Sequence, residues 1–255
     1  MIINPYVFTT ATPTYNTLTT AWIAATGETD TVILNALNTF EAGLISNSLT
    51  GKFNALYPFV GGTQLKHSYN FMNTATFTLV QTGSWTHSTN GALPSGTGYA
   101  TTGLTPSATL SLNDSHLSVY TRTNNTSGVD IGVASSGVSY IAARTGGNFI
   151  GNINQGPNTS VATANSLGWY VASRTGASAI AGYKNGTSVF TSTQVSLSIP
   201  NLPIWLGARN FAGVADAFAA RELAFASIGS GLTAGEVSTL YTLVQAMQTS
   251  LLRAV

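Results

Sequence analysis

Beyond Gly61-Gly62 the apolar residues recur at every second position, in short runs closed by clusters of Gly, Asn, Ser and Thr. A period of two is that of a pleated strand with one buried face, and frequent turn residues leave little room for helices. Strands are expected at Ser68 to Met72, Phe77 to Val80, Leu117 to Arg122, Val129 to Ala134, Ser139 to Arg144 and Phe149 to Asn154. Others are expected at Gly168 to Arg174, Ser178 to Lys184, Ser188 to Thr191, Leu202 to Ala208 and Ala217 to Ile228. Many short strands at this spacing predict a sandwich over residues 61–231. Asn185-Gly186 marks the clearest hairpin, because a type I′ turn needs positive φ at both central positions.

Helical spacing governs the two ends. Residues 1–14 carry Pro5 and Pro13 and read as an extended arm, either a frayed terminus or an anchor that pairs with a neighbouring subunit. Residues 15–60 read as a helical subdomain. Leu18, Trp22 and Ile23 share one face of a first helix that Gly27 ends, and Asp30 caps a second with Ile33, Leu34, Leu37, Phe40, Leu44 and Ile45. A third segment from Leu49 holds Phe53 and Leu56 and stops at Pro58. Over residues 232–255, Thr233-Ala234-Gly235-Glu236 forms a capping box. The stripe Val237, Leu240, Val244, Met247 and Leu251 that follows is too short for a stable coiled coil and is expected to pack on the body.

The chain has little with which to run acid, base or metal chemistry. Nine Lys or Arg and eight Asp or Glu serve 255 residues, there is no Cys, and no carboxylate lies between Asp130 and Asp216. Paired-carboxylate hydrolysis needs two acids close together, whereas Asp114 reads as a turn residue and Asp130 as the start of a strand. His67, His87 and His116 are isolated in sequence. Neither a nucleophile elbow nor a phosphate loop occurs. No enzyme activity, metal or cofactor is expected. A net charge of +1 with scattered basic residues offers no footprint for nucleic acid. No apolar run is long enough to span a membrane, and no secretory signal opens the chain.

Recognition remains. The stretch from Gly83 to Ala100 reads as a long glycine-rich loop with Trp85 and His87 at one end and Tyr99 at the other. Its aromatic rings either pin the loop to the sandwich or stack on a sugar or fill a partner's pocket. Arg122, Arg144, Arg174 and Arg209 each end a strand before a turn. They are either solvated charges that protect edges or a row that contacts an acidic partner or a glycan.

Trp169-Tyr170-Val171, Tyr183-Lys184-Asn185-Gly186, Ile204-Trp205-Leu206-Gly207 and Glu222-Leu223-Ala224-Phe225-Ala226-Ser227-Ile228-Gly229 resemble the concanavalin A-like, laminin-G-like jelly-roll superfamily. That resemblance implies a mainly β jelly-roll sandwich with a small N-terminal helical subdomain and a C-terminal helix. Tyr57-Pro58-Phe59-Val60-Gly61-Gly62-Thr63, Trp85-Thr86-His87-Ser88 with Gly91-Ala92-Leu93-Pro94, and the run from Ala224 through Val244-Gln245-Ala246 are similar to a module of bacteriophage virion structural proteins. This second resemblance implies a non-enzymatic virion surface protein of the capsid-decoration or head-fibre type. Its implied partners are other virion proteins and further copies of itself, in trimers for many appendages of this sort. A glycan-binding adhesin that contacts a host surface sugar is the other reading.

Overall fold

The computed structural model describes residues 14–126 and 128–255; the expected arm lies outside them except for Thr14. Two antiparallel sheets stack face to face, and helices cover the outer face of one. The first sheet runs in the order Thr187–Ser192, Ala179–Lys184, Gly168–Gly176, Ser115–Thr121, Leu223–Gly229, Gly91–Pro94 and Trp85–Ser88, with Phe53–Tyr57 also paired to Leu223–Gly229. The second runs Ser160–Ala162, Asn148–Asn152, Val138–Thr145, Ile131–Ala134, Trp205–Leu206, Tyr99–Thr101 and Val80–Thr82, with the hairpin Arg209–Phe211/Val214–Asp216 attached to Ile131–Ala134. The order places strands distant in sequence side by side, as a jelly roll does.

The core between the sheets holds Leu117, Val119, Ile131, Val133, Ile141, Ala143, Tyr170, Ala172 and Ile228. A second core lies between the first sheet and the helices, where Trp169, Val171 and Phe225 meet Trp22, Leu37, Phe40 and Val244. Both faces of the central strands are therefore buried. Each large side chain so enclosed contributes about 1.5–3 kcal/mol.

The helix signals are realised locally. The first helix, Thr17–Thr26, ends at Gly27 with φ 65°, a left-handed position that glycine occupies without steric cost. The second, Thr31–Ser46, starts where the Asp30 carboxylate accepts from the Val32 N–H at 2.8 Å. Buried Glu41 reaches back to the exposed N–H groups at the start of the first helix, accepting from Leu18 N and Thr19 N, each at 2.8 Å. That is where a helix dipole favours an anion. The C-terminal helix, Ala234–Ser250, has the full Thr233–Glu236 capping box and buries Val237, Leu240, Val244 and Met247. It crosses the second helix at Gly43, where a Cβ would stand 2.4 Å from Leu243 Cδ2. No helix among the described residues is long and apolar enough to cross a membrane.

Three local expectations are corrected. The segment from Leu49 forms a short 3-10 turn, Thr50–Lys52, and the strand Phe53–Tyr57. Phe53 and Leu56 face the helices while Ala55 and Tyr57 face the sandwich core, so burial on both sides mimics a helical stripe. No strand forms at Ser68 to Met72. Buried Asn70 serves as the local template there, its Oδ1 accepting from Leu56 N and Met72 N. The Gly83 to Ala100 stretch contains three strands, Trp85–Ser88, Gly91–Pro94 and Tyr99–Thr101. Small residues hide their alternation, and Gly91 is required because a Cβ would lie 2.3 Å from the Leu223 carbonyl oxygen.

Candidate binding site

The four strand-ending arginines do not form a row. Arg174 shares the parity of Tyr170 and Ala172 and points between the sheets, fully buried. Its Nε donates to Ile153 O at 2.8 Å, Nη1 to Ala177 O at 2.9 Å and Nη2 to Gln155 Oε1 at 3.0 Å. It is a loop organiser, and burial lowers its pKa. Arg122 pairs with Glu222 at 2.7 Å and donates through Nε to Arg253 O. Half-buried Arg144 reaches Asn124 Oδ1 at 3.4 Å, and its backbone carbonyl accepts from Arg221. Arg209 lines a recess.

Trp85 and Tyr99 also part company. Trp85 packs against the core edge and stacks on His87 with ring centroids 6.4 Å apart. Tyr99 lies on the other sheet, stacked on Trp205 at 4.3 Å. Both rings pack on the sandwich and stay partly exposed. His67 and His87, isolated in sequence, meet in space with Nδ1 atoms 2.9 Å apart, while His116 is buried alone between Ser230 O and Ser227 Oγ.

The acids are held in structure as well. Asp130 and Arg221 form an ion pair with neither side chain exposed, Nη1 lying 2.9 and 2.8 Å from the two carboxylate oxygens. Asp114 accepts from Gly231 N at 2.8 Å. Among the described residues no three His, Asp or Glu gather as metal ligands would.

The recess at Arg209 lies on the outer face of the second sheet and encloses about 220 Å³ between Val129, Tyr140, Ile150, Asn158, Arg209 and Thr145. The hairpin that carries Arg209 turns at Ala212-Gly213, both with positive φ. It brings Asp216 opposite Arg209, with Nε to Oδ1 at 2.9 Å and Nη2 to Oδ2 at 2.6 Å. The guanidinium carbon sits 5.6 Å from the Tyr140 ring centre and 5.1 Å from that of Phe211. Phe211 is 52% exposed. The hydrogen bond that Arg209 donates to Asp216 raises the Arg209 pKa against the burial that opposes it. Burial likewise pushes the Tyr140 phenol up, so its hydroxyl stays protonated and donates to Asn158 Oδ1 at 2.7 Å. The wall thus holds a guanidinium, a phenol ring and an amide, while Phe211 and Asp216 flank Arg209 outside the lining. Sequence reasoning found Arg209 but missed Tyr140, Asn158, Phe211 and Asp216; the Ala212-Gly213 turn was the signal that would have set Asp216 against Arg209.

A larger open groove of about 720 Å³ lies on the outer face of the first sheet where the C-terminal helix begins, walled by Ser173, Thr175, Ser178, Ala181, Thr191 and Thr193 among others. None of its lining residues is Lys, Arg, His, Asp or Glu.

No protein-family model and no curated protein sequence matches the chain. Solved structures match it in fold. One is of botulinum neurotoxin type C, whose cell entry depends on interaction with two ganglioside molecules, at 10% identity over 78% of this chain and 53% of that one, with TM-score 0.55. Another is Trypanosoma rangeli sialidase in complex with sialic acid, at 10% identity over 82% of this chain and 38% of that one, with TM-score 0.53. A third is the binding domain of Paraclostridial Mosquitocidal Protein 1, at 10% identity over 75% of this chain and 52% of that one, with TM-score 0.50. The chain spans about half the length of the two toxin chains and less of the sialidase. Likeness at this identity establishes the sandwich fold.

Proposed function

We propose that this chain is a non-enzymatic recognition module that binds a neutral host-surface glycan at the Arg209 recess and is displayed on a bacteriophage virion. The observation that carries the glycan reading is the Phe211–Arg209–Tyr140 stack clamped by Asp216 beside an open recess. An exposed ring offers a stacking face to a sugar's C–H groups, and the guanidinium–carboxylate pair offers donors and acceptors to adjacent hydroxyls. Because Asp216 neutralises Arg209, the site suits an uncharged sugar better than an acidic one. The ganglioside-dependent neurotoxin and the sialic acid-bound sialidase, which share the fold, support a carbohydrate ligand as such; those two ligands are acidic, and the preference for a neutral sugar rests on the Arg209–Asp216 pair alone. Placement on a virion rests on the motifs from Tyr57 to Thr63, Trp85 to Pro94 and Ala224 to Ala246.

A glycan array tests the binding claim. Wild type is expected to bind neutral oligosaccharides, and Phe211→Ala, which alters an exposed ring, to lose at least tenfold in affinity with its fold intact. Absence of binding, or binding that Phe211→Ala and Arg209→Gln both leave unchanged, refutes it. Mass spectrometry of purified particles of the encoding phage tests the virion claim, and absence of the chain from them refutes it.

A further inference from the structure

The two sheets end side by side at one edge of the sandwich. There the last strand of the second sheet, Val80–Thr82, turns directly into the last strand of the first, Trp85–Ser88. His67 and His87 join this edge to the body. Gly62 N–H donates to His67 Nε2 at 3.2 Å, so that nitrogen is bare and the proton of a neutral His67 sits on Nδ1. That proton points along the 2.9 Å contact to His87 Nδ1. His87 must then carry its own proton on Nε2, which donates to Gln81 Oε1 at 3.0 Å. Each ring N–H and the Gly62 N–H meet an acceptor when both rings are neutral.

A further proton breaks the relay. On His67 Nε2 it opposes the Gly62 N–H, and on His87 Nδ1 it opposes the His67 N–H. The surroundings offer no compensation, since no carboxylate among the described residues contacts either ring. Lys66 and Glu28 neutralise each other at 3.1 Å beside the short helix Gln64–Ser68. Glu222, which accepts from Ser88, is held by Arg122 at 2.7 Å. The remaining charge, Arg253, donates through Nη1 to Phe59 O beneath His67 and is itself a cation. Strand Val80–Thr82 presents neutral Gln81, strand Gly91–Pro94 has no ionisable side chain, Phe59 packs T-shaped on His67, and Trp85 stacks on His87.

The hairpin that His87 secures is lightly attached. Trp85–Ser88 pairs with Gly91–Pro94, and the ladder between Gly91–Pro94 and the rest of the first sheet consists of the single pair Ala92 and Leu223. We propose that His67 and His87 form an acid-sensitive clasp, whose protonation releases the Trp85–Pro94 hairpin from the sandwich edge while the central strands stay closed.

The direction follows from the charge state. Burial, with help from His87 and Arg253, pushes His67 down to about 3, and burial lowers His87. Both return toward the ordinary histidine value of about 6.5 once the hairpin is released. Each pH unit below that value favours the open state about tenfold per histidine, and up to about a hundredfold for the two together. Glu28 is held below the ordinary carboxylate range by N–H groups of Asp30 and Thr29 and by Lys66, against its burial, so it titrates outside the histidine window.

Hydrogen exchange of the whole chain between pH 7 and 4.5, corrected for intrinsic rates, tests the clasp. Protection in residues 80–98 is expected to fall ten- to a hundredfold per pH unit, with no such fall in Ser115–Thr121. Parallel loss in both segments overturns the proposal. In the double variant His67→Gln/His87→Gln the hairpin's protection is expected to be independent of pH, and a retained acid-dependent fall overturns it. Should that variant not fold, nitrogen-15 spectra of the wild-type imidazoles at pH 7 decide: a protonated His67 Nδ1 and His87 Nε2 are expected, and the opposite tautomers refute the relay.

Discussion

Replacing Arg221 with methionine removes one partner of an ion pair that water does not reach. Asp130 would keep a single donor, the Ala143 N–H at 2.7 Å, in place of the guanidinium that now contacts both of its oxygens. Breaking a buried pair from one side costs about 3–5 kcal/mol, because the remaining charge has no solvent and no counterion. Unfolding entropy of about 2.1 cal/mol/K per residue comes to roughly 0.5 kcal/mol/K for this chain, so a loss of about 4 kcal/mol lowers Tm by about 8 °C. Asp130→Val should cost a comparable amount, since it strands the guanidinium with the carbonyl groups of Arg144 and Asn125. Combining Arg221→Met with Asp130→Val leaves neither charge behind and should recover most of the loss. Urea titrations at 25 °C and thermal melts of the four proteins measure the cycle. Single variants that lose less than about 1 kcal/mol, or a double variant that loses the sum of the two, would refute the claim that this pair is a coupled, desolvated unit.

Other expectations concern separate parts of the molecule. His116 is pushed down to about 4 by burial, against the Ser230 carbonyl that favours its charged form. Its neutral form is the folded one, so its contribution is complete above pH 6.5 and drains away at about 1.4 kcal/mol per unit as pH falls toward 4; urea midpoints across that range should lose this component in His116→Asn. Gly43→Val places carbon atoms where Leu243 Cδ2 now lies and should cost about 1–3 kcal/mol, with Leu243→Ala restoring part of it in chemical denaturation. Thr233→Ala removes the capping box and should cost about 1 kcal/mol, measured in the same way.

Features that act within a few residues were readable in the sequence. Asn185 and Gly186 both take positive φ and close the expected hairpin, and Gly27, Asp30 and Thr233 bound their helices where local chemistry demanded it. Features that depend on which face a residue occupies were read less well. Arg174 looked like a rim charge because it precedes a turn, yet its parity with Tyr170 and Ala172 directs it inward. The strands between Trp85 and Thr101 were obscured because Gly, Ala and Thr occupy positions that packing fills with neighbouring strands. His67 and His87 stand twenty residues apart, and no periodicity announces a contact made only by tertiary packing. The Arg209 recess combines both cases, with Asp216 across a turn and Tyr140 from a strand far upstream.

The strand Leu223–Gly229 lies inside the first sheet, between Ser115–Thr121 on one side and Phe53–Tyr57 on the other. Arg253 then ties the carbonyl groups of Pro58, Phe59 and Ala224 together. During synthesis, the early helices, the strand at Phe53 and the strand at Ser115 therefore emerge without the element that unites them. They must remain uncommitted until nearly the whole described chain has cleared the ribosome. Such non-local closure makes folding slow and leaves unpaired edges exposed meanwhile. A nascent chain arrested before Leu223 should be protease-sensitive throughout, and the sandwich should acquire resistance in one late step.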